Sequence, residues 1–135
     1  MNGLNLCPLG WDVPTDAEWT VLLNHLANNG YGYGGSGDQI GKSMAATFRW
    51  NSSGASGSVG NDLGSNNSSR FTGLPGGMRS SSYFNRIGNF GYWWSSTGNN
   101  TTSVWFRSMY NMNGSVSGGF NSKGSGFYVR CLRDN

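Results

Sequence analysis

The sequence predicts an α+β domain: helices packed on a small, mostly antiparallel sheet, with long irregular loops. Three observations carry this. Helical periodicity is confined to the first third of the chain, strand-like alternation to the last, and the stretch between is dense in Gly, Ser and Asn. At 135 residues the chain reads as one domain, 1–135, of a larger protein, long enough to bury a core. Only 11% of residues are charged while 14% are aromatic, the reverse of what a disordered chain shows.

The clearest element is PTDAEWTVLLNHLANNG. Thr15 precedes Glu18 by three residues, the capping-box spacing, and Asp16 and Glu18 suit the first turn of a helix. Trp19, Leu22, Leu23 and Leu26 recur at i, i+3, i+4 and i+7 as one apolar stripe, and Asn28-Asn29-Gly30 stops it. The single histidine, His25, lies beside that stripe and is expected at the surface or as a cap. Ile40, Met44 and Phe48, spaced by four, predict a second, weaker helix over Gln39–Trp50. From Asn51 to Ser69 a long surface loop is expected, anchored by Val59 and Leu63. Leu74-Pro75-Gly76-Gly77 is a turn, and strands follow at Tyr83–Phe84, Gly91–Ser96, Ser103–Tyr110 and Gly126–Leu132.

Within GYWWSST the two adjacent tryptophans must point to opposite faces of a strand, so Trp93 and Trp94 cannot share one core. One is expected in the core and the other beneath the loops. In the later strands Val104, Phe106, Phe127, Val129 and Cys131 are expected to face inward, by alternation.

Composition and spacing exclude several functions. The net charge is +3 and the arginines are scattered, which argues against nucleic acid. No apolar run approaches a membrane span, so no insertion is expected. Met1-Asn2-Gly3 reads as a mid-protein start, so the lack of a leader-like opening does not argue for the cytoplasm. Two cysteines and one histidine do not make a metal site. Cys7 and Cys131 leave two readings open, a disulfide closing almost the whole chain or two free buried thiols. The six acids show no paired spacing for acid–base work, and the Gly-rich segments lack the lysine of a phosphate loop. No enzyme and no cofactor are expected.

Four islands, CPLGWDVPTDAEW, GLPGGMR, GYWWSST and GFYVRCLRD, occur in the order found in the Fibrobacter succinogenes major paralogous domain, and from Cys7 to Asp134 the chain resembles that family. The family is similar in turn to the C-type-lectin-like fold shared with formylglycine-generating enzymes and with the variable proteins of diversity-generating retroelements. The resemblance implies termini meeting in one sheet, two flanking helices, long loops across the top, and an extracellular, cell-surface or virion setting. It does not imply catalysis here. The oxidase relatives depend on a cysteine pair close to the late strands, where this chain has only Cys131. The Glu-Pro-Asn, Gln-Pro-Asp and Trp-Asn-Asp triplets of calcium lectins are missing too, and no acid lies between Asp62 and Asp134.

What remains is a displayed binding surface. From Thr97 to Phe127 the chain interleaves Asn, Ser and Gly with Trp, Phe, Tyr and Arg, the chemistry of an antibody paratope. Retroelement-diversified relatives vary asparagine codons near this end of the fold, and the composition fits that pattern. The expected contacts are Asn99, Asn100, Trp105, Arg107, Tyr110, Asn111, Asn113, Ser115, Phe120, Asn121 and Lys123. Trp105 would be the anchor and Arg107 the partner of an acidic group. The ligand is expected to be a protein or carbohydrate on another cell or surface. The alternative is a structural module of a bacterial surface protein that makes fixed inter-domain contacts.

Overall fold

A computed structural model describes residues 6–135; the Met1-Asn2-Gly3 start lies outside the described residues. The order is β1 (Trp11–Asp12), α1 (Asp16–Asn28), α2 (Gly41–Met44), β2 (Met78–Arg79), β3 (Phe84–Asn85), β4 (Phe90–Gly98), β5 (Ser103–Tyr110), β6 (Ser117–Ser122) and β7 (Leu132–Arg133). Three antiparallel sheets form: β1–β7, β2–β3 and β4–β5–β6. The chain is α+β, as the order of its sequence signals predicts.

The first helix forms where its cap places it. The Glu18 amide donates to Thr15 Oγ1 at 3.1 Å, and the Thr15 amide donates to the Glu18 carboxylate at 2.8 Å. Its stripe faces the core, with Trp19 and Leu26 buried and Leu22 and Leu23 packed beside them. His25 is exposed in the last turn. The core is completed by Ile40, Met44, Ala45, Trp50, Val59, Trp93 and Met109.

The second helix is corrected to a single turn. It stops at Met44 because Ala45 turns extended and bridges Gly73, and the Ala46 amide donates to the Gly73 carbonyl at 2.9 Å. Beyond it Phe48 is 47% exposed, so the spacing-four stripe ends at Met44. The Asn51–Ser69 stretch is not wholly a surface loop either. Gly57 to Gly60 and Asn66 are buried, and Val59 is fully enclosed. Small residues let this backbone pass through the interior, where the Val59 amide donates to the Asn113 carbonyl and the Gly60 amide to that of Asn111.

The predicted Gly126–Leu132 strand is instead an extended segment held by single bridges, Gly126 on Arg79 and Tyr128 on Trp93, before β7. Its alternation is as expected: Phe127, Val129 and Cys131 are half-buried while Tyr128, Arg130 and Leu132 are exposed. Cys7 and Cys131 form a disulfide with Cα atoms 5.8 Å apart, so the bonded reading holds and the free-thiol reading does not. The two ends of the chain thus meet, but as a separate two-stranded ribbon rather than within the main sheet.

Candidate functional site

Register fixes the two faces of the three-stranded sheet. Trp93 pairs with Arg107, Gly91 with Met109, Trp105 with Phe120, and Arg107 with Gly118, so these share the face that carries α1. Trp94 pairs with Phe106, and Tyr92 with Ser108, on the opposite face. Both tryptophans are buried, at 5% and 7% exposure. Trp93 joins the helix-side core, with Phe71 edge-on at 5.8 Å. Trp94 lies on the other side, stacked on Phe127 at 4.2 Å. Phe127 also stacks on Tyr92 and meets Phe106 edge-on, which makes a second, aromatic layer sealed by the C-terminal segment. The inward set expected from alternation therefore builds that layer, with Val104 buried and Phe106 half-buried, while Trp93 and Met109 build the main core.

The strand β6 escaped sequence reasoning, because Ser-Gly-Gly-Phe-Asn-Ser has neither β-branched residues nor alternation of the usual kind. Its glycines are fitted to its neighbour. A Cβ at Gly119 would sit 3.1 Å from the Phe106 ring, so the strand lies flat against that aromatic.

The eleven expected contacts divide into groups. Asn99, Asn100, Trp105, Phe120, Asn121 and Lys123 gather where the β4–β5 turn meets the end of β6; the Lys123 amide donates to the Thr102 carbonyl at 2.9 Å. Asn100 Oδ1 accepts from the Thr102 and Ser103 amides at 2.9 Å each and fixes the turn. The Asn99 amide group donates to Ser103 Oγ at 3.2 Å, and Asn121 Oδ1 accepts from the Ser122 amide at 2.7 Å. Within this group Phe120 is 57% exposed and Trp105 meets it edge-on at 5.5 Å. Two rings standing on neighbouring strands, rimmed by asparagines and an exposed lysine, can stack on a planar or sugar-like surface and hydrogen-bond around it.

The others lie elsewhere. Tyr110, Asn111, Asn113 and Ser115 are at the opposite end of the hairpin, about 23 Å away along β5. Tyr110 stacks on Phe90 at 4.3 Å and its hydroxyl donates to Met112 sulfur. Asn111 is buried and donates to the Asn51 carbonyl at 3.2 Å. Asn113 Oδ1 accepts from the Ser115 amide at 2.8 Å. Arg107 is not an open guanidinium. Its Nη2 lies 2.9 Å from Asp16 Oδ1, and it also donates to Thr20 Oγ1 at 3.0 Å.

Two features had no sequence signal. Lys42 is buried, and its ammonium donates to the carbonyls of Ser58, Asn61 and Asp62 and to Asn66 Oδ1 at 2.8 Å. Burial, opposed by Asp62, lowers its pKa. Separately, Tyr83, Phe84 and Ile87 stand exposed around β3, as do Leu6, Leu9, Trp11 and Leu132 around β1–β7. Among the described residues no group of His, Cys, Asp and Glu is arranged to hold a metal, and no helix is long and apolar enough to cross a membrane.

No curated protein and no solved structure matches the chain. The model of the Fibrobacter succinogenes major domain matches residues 1–133, the same family to which the four sequence islands point, and the chain belongs to that family.

Proposed function

We propose that this is a recognition domain of an exported or surface-displayed protein, without catalytic turnover, whose ligand face is the Trp105–Phe120 pair with Asn99, Asn100, Asn121 and Lys123. The observation that carries the reading is Phe120, a large ring left 57% exposed on a strand otherwise made of Ser, Gly and Asn. The Cys7–Cys131 disulfide supports an oxidising compartment, outside the cell or on its surface. A helix leading into paired chain ends and a late antiparallel sheet are compatible with a C-type-lectin-like arrangement, and the Asn/Ser/Gly-rich hairpin with retroelement-type diversification. The ligand is a protein or a carbohydrate. Sequencing of the codons from Thr97 to Gly126 across a natural population tests the proposal. Substitutions at adenine positions, concentrated at Asn99, Asn100, Asn121 and Lys123 and sparing Arg107 and Asn111, are expected; a uniform segment removes diversification. Loss of ligand capture by Trp105→Ala/Phe120→Ala tests the face itself.

A second reading is favoured by a specific observation: two apolar surfaces are formed by residues outside the Trp105–Phe120 group, Leu9 with Trp11 and Leu132 near the joined ends, and Tyr83 with Phe84 and Ile87 at β2–β3. Such surfaces suit fixed contacts with neighbouring domains. Slower hydrogen exchange of both segments in the parent protein than in the isolated domain is expected on this reading, and equal exchange removes it.

A further inference from the structure

The two apolar surfaces carry opposite charge. At the end where β1 meets β7, exposed Leu9, Trp11 and Leu132 are accompanied by the carboxylates of Asp12, Asp134 and Glu18. Desolvation, and then the neighbouring Asp12 carboxylate, push the Asp134 carboxyl above its usual range, as expected where acidic side chains crowd together. Arg133 stands opposite Trp11 at this end, and Arg130 lies over the Phe71 ring at 4.5 Å. Asp16 belongs to the same region but is already paired with Arg107.

At the other surface, exposed Tyr83, Phe84 and Ile87 are accompanied by Arg79 and Arg86. Arg79 lies over the Phe84 ring at 5.7 Å and Arg86 over Phe90 at 5.3 Å. Neither makes an ion pair among the described residues. The C-terminal segment links the two surfaces: it is hydrogen-bonded to Arg79 at Gly126 and paired with Asp12 at Leu132. Those seven residues, held extended, place the surfaces about 20 Å apart. The strand β4 runs parallel to this segment, with Phe90 near Gly77 and Ser96 near Pro14. The surfaces therefore sit at opposite ends of one axis.

We propose that the arginine–aromatic end of one copy docks on the carboxylate–leucine end of a second copy, so that the chain associates head to tail. The arginine–aromatic end is mismatched to itself, since no carboxylate accompanies Arg79 and Arg86 there and arginine would meet arginine, whereas Asp12, Asp134 and Glu18 stand at the other end. The contact is therefore heterologous rather than two-fold symmetric. Apolar side chains on both sides supply the buried area, while the arginines select the partner end. A stable contact needs about 800 Å² a side, roughly a tenth of the 7620 Å² surface, so both ends can be used at once. This inference rests on the reading of these surfaces as contact sites, and the Trp105–Phe120 face belongs to neither end.

The test is sedimentation of the wild-type chain over a concentration series at low and high salt, followed by two variants. Wild type is expected to grow past a dimer with concentration and to dissociate as salt rises. Arg79→Glu/Phe84→Ser, which disables one end, and Leu9→Ser/Asp134→Lys, which disables the other, are each expected to be monomeric. Their mixture is expected to give a dimer and nothing larger, because one intact end of each kind remains. Should either double variant lose its circular dichroism signal, Ile87→Ser and Leu132→Ser replace them. A wild type that is monomeric throughout, a mixture that stays monomeric, or a variant that associates as wild type does overturns the proposal. A monomeric wild type whose ends still become protected against a flanking domain of the parent protein sinks the pairing with a second copy and leaves the contact-surface reading standing.

Discussion

Arg107 and Asp16, 91 residues apart in sequence, are joined by two contacts to a single carboxylate oxygen, at 3.0 Å from Nε and 2.9 Å from Nη2. The pair ties the first turn of α1 to the middle strand of the sheet. A third contact, to Thr20 one helical turn further on, fixes the plane of the guanidinium. With side-chain exposures of 17% and 30% the pair is partly shielded from water, so it exceeds the usual surface ion pair without carrying the cost of full burial.

Arg107→Ala is therefore expected to lower stability by about 1–2 kcal/mol, read as a shift of the urea unfolding midpoint. Arg107→Lys should recover less than half of it, because an ammonium cannot reproduce the planar contacts to Asp16 and Thr20 together. A stability unchanged by the alanine variant would mean that the contact is solvated and idle.

That pairing marks the limit of what the sequence reveals. The helix α1 was legible because its cap and its stripe are both local, within PTDAEWTVLLNHL. The strands β4 and β5 were legible from their aromatics, and so was the rule that Trp93 and Trp94 face opposite ways. The second helix was overextended because Ile40, Met44 and Phe48 keep helical spacing, while the turn at Ala45 is imposed by Gly73, a distant partner. The strand β6 was invisible because its pairing comes from the register of β5 and not from its own residues. The site suffers from the same cause. Arg107, Tyr110 and Asn111 have the chemistry of contact residues, and only the folded chain shows that Asp16, Phe90 and Asn51 already occupy them.

The Cys7–Cys131 bond spans a sequence separation of 124 residues. By loop-closure entropy it restricts the unfolded chain by roughly 5 kcal/mol, an amount comparable with the whole stability of many domains. Cys7→Ser/Cys131→Ser is expected to unfold at much lower denaturant and with a steeper slope, because the unlinked unfolded chain is less compact and exposes more surface. Reduction of the wild type should have the same effect, and an unmoved midpoint under reductant would remove the bond from the stability of the fold.

Phe120 is expected to behave in the opposite way. Its ring is mostly in solvent and, among the described residues, meets one other ring, the edge of Trp105, so Phe120→Ser should leave stability within about 0.5 kcal/mol. The same substitution should weaken ligand capture tenfold or more if the ring is the anchor proposed above. A large loss of stability would instead make Phe120 a packing residue and remove the main support for the ligand face.

Lys42 offers the sharpest energetic test, because its charge is held inside the fold by oxygen atoms alone. Three backbone carbonyls and Asn66 Oδ1 surround the ammonium, and the Asn66 amide group is itself spent on the carbonyls of Ala46 and Val59. Lys42→Met keeps the volume of the side chain but leaves those acceptors without a donor, at an expected cost of roughly 3 kcal/mol. Hydrogen exchange should show the loss first between Ser58 and Asn66, the segment that the ammonium organises. The pH dependence has a definite sign. Burial, only partly offset by Asp62, holds the folded pKa of Lys42 below the ordinary 10.5. Between that lowered value and 10.5 the unfolded chain binds more protons than the folded one, so stability rises with pH across this window. The methionine variant has no such group. The gap between wild type and Lys42→Met in urea unfolding should therefore widen as pH is raised from neutrality toward 10.5, and a gap that narrows would mean that the cage stabilises the charged amine more strongly than burial penalises it.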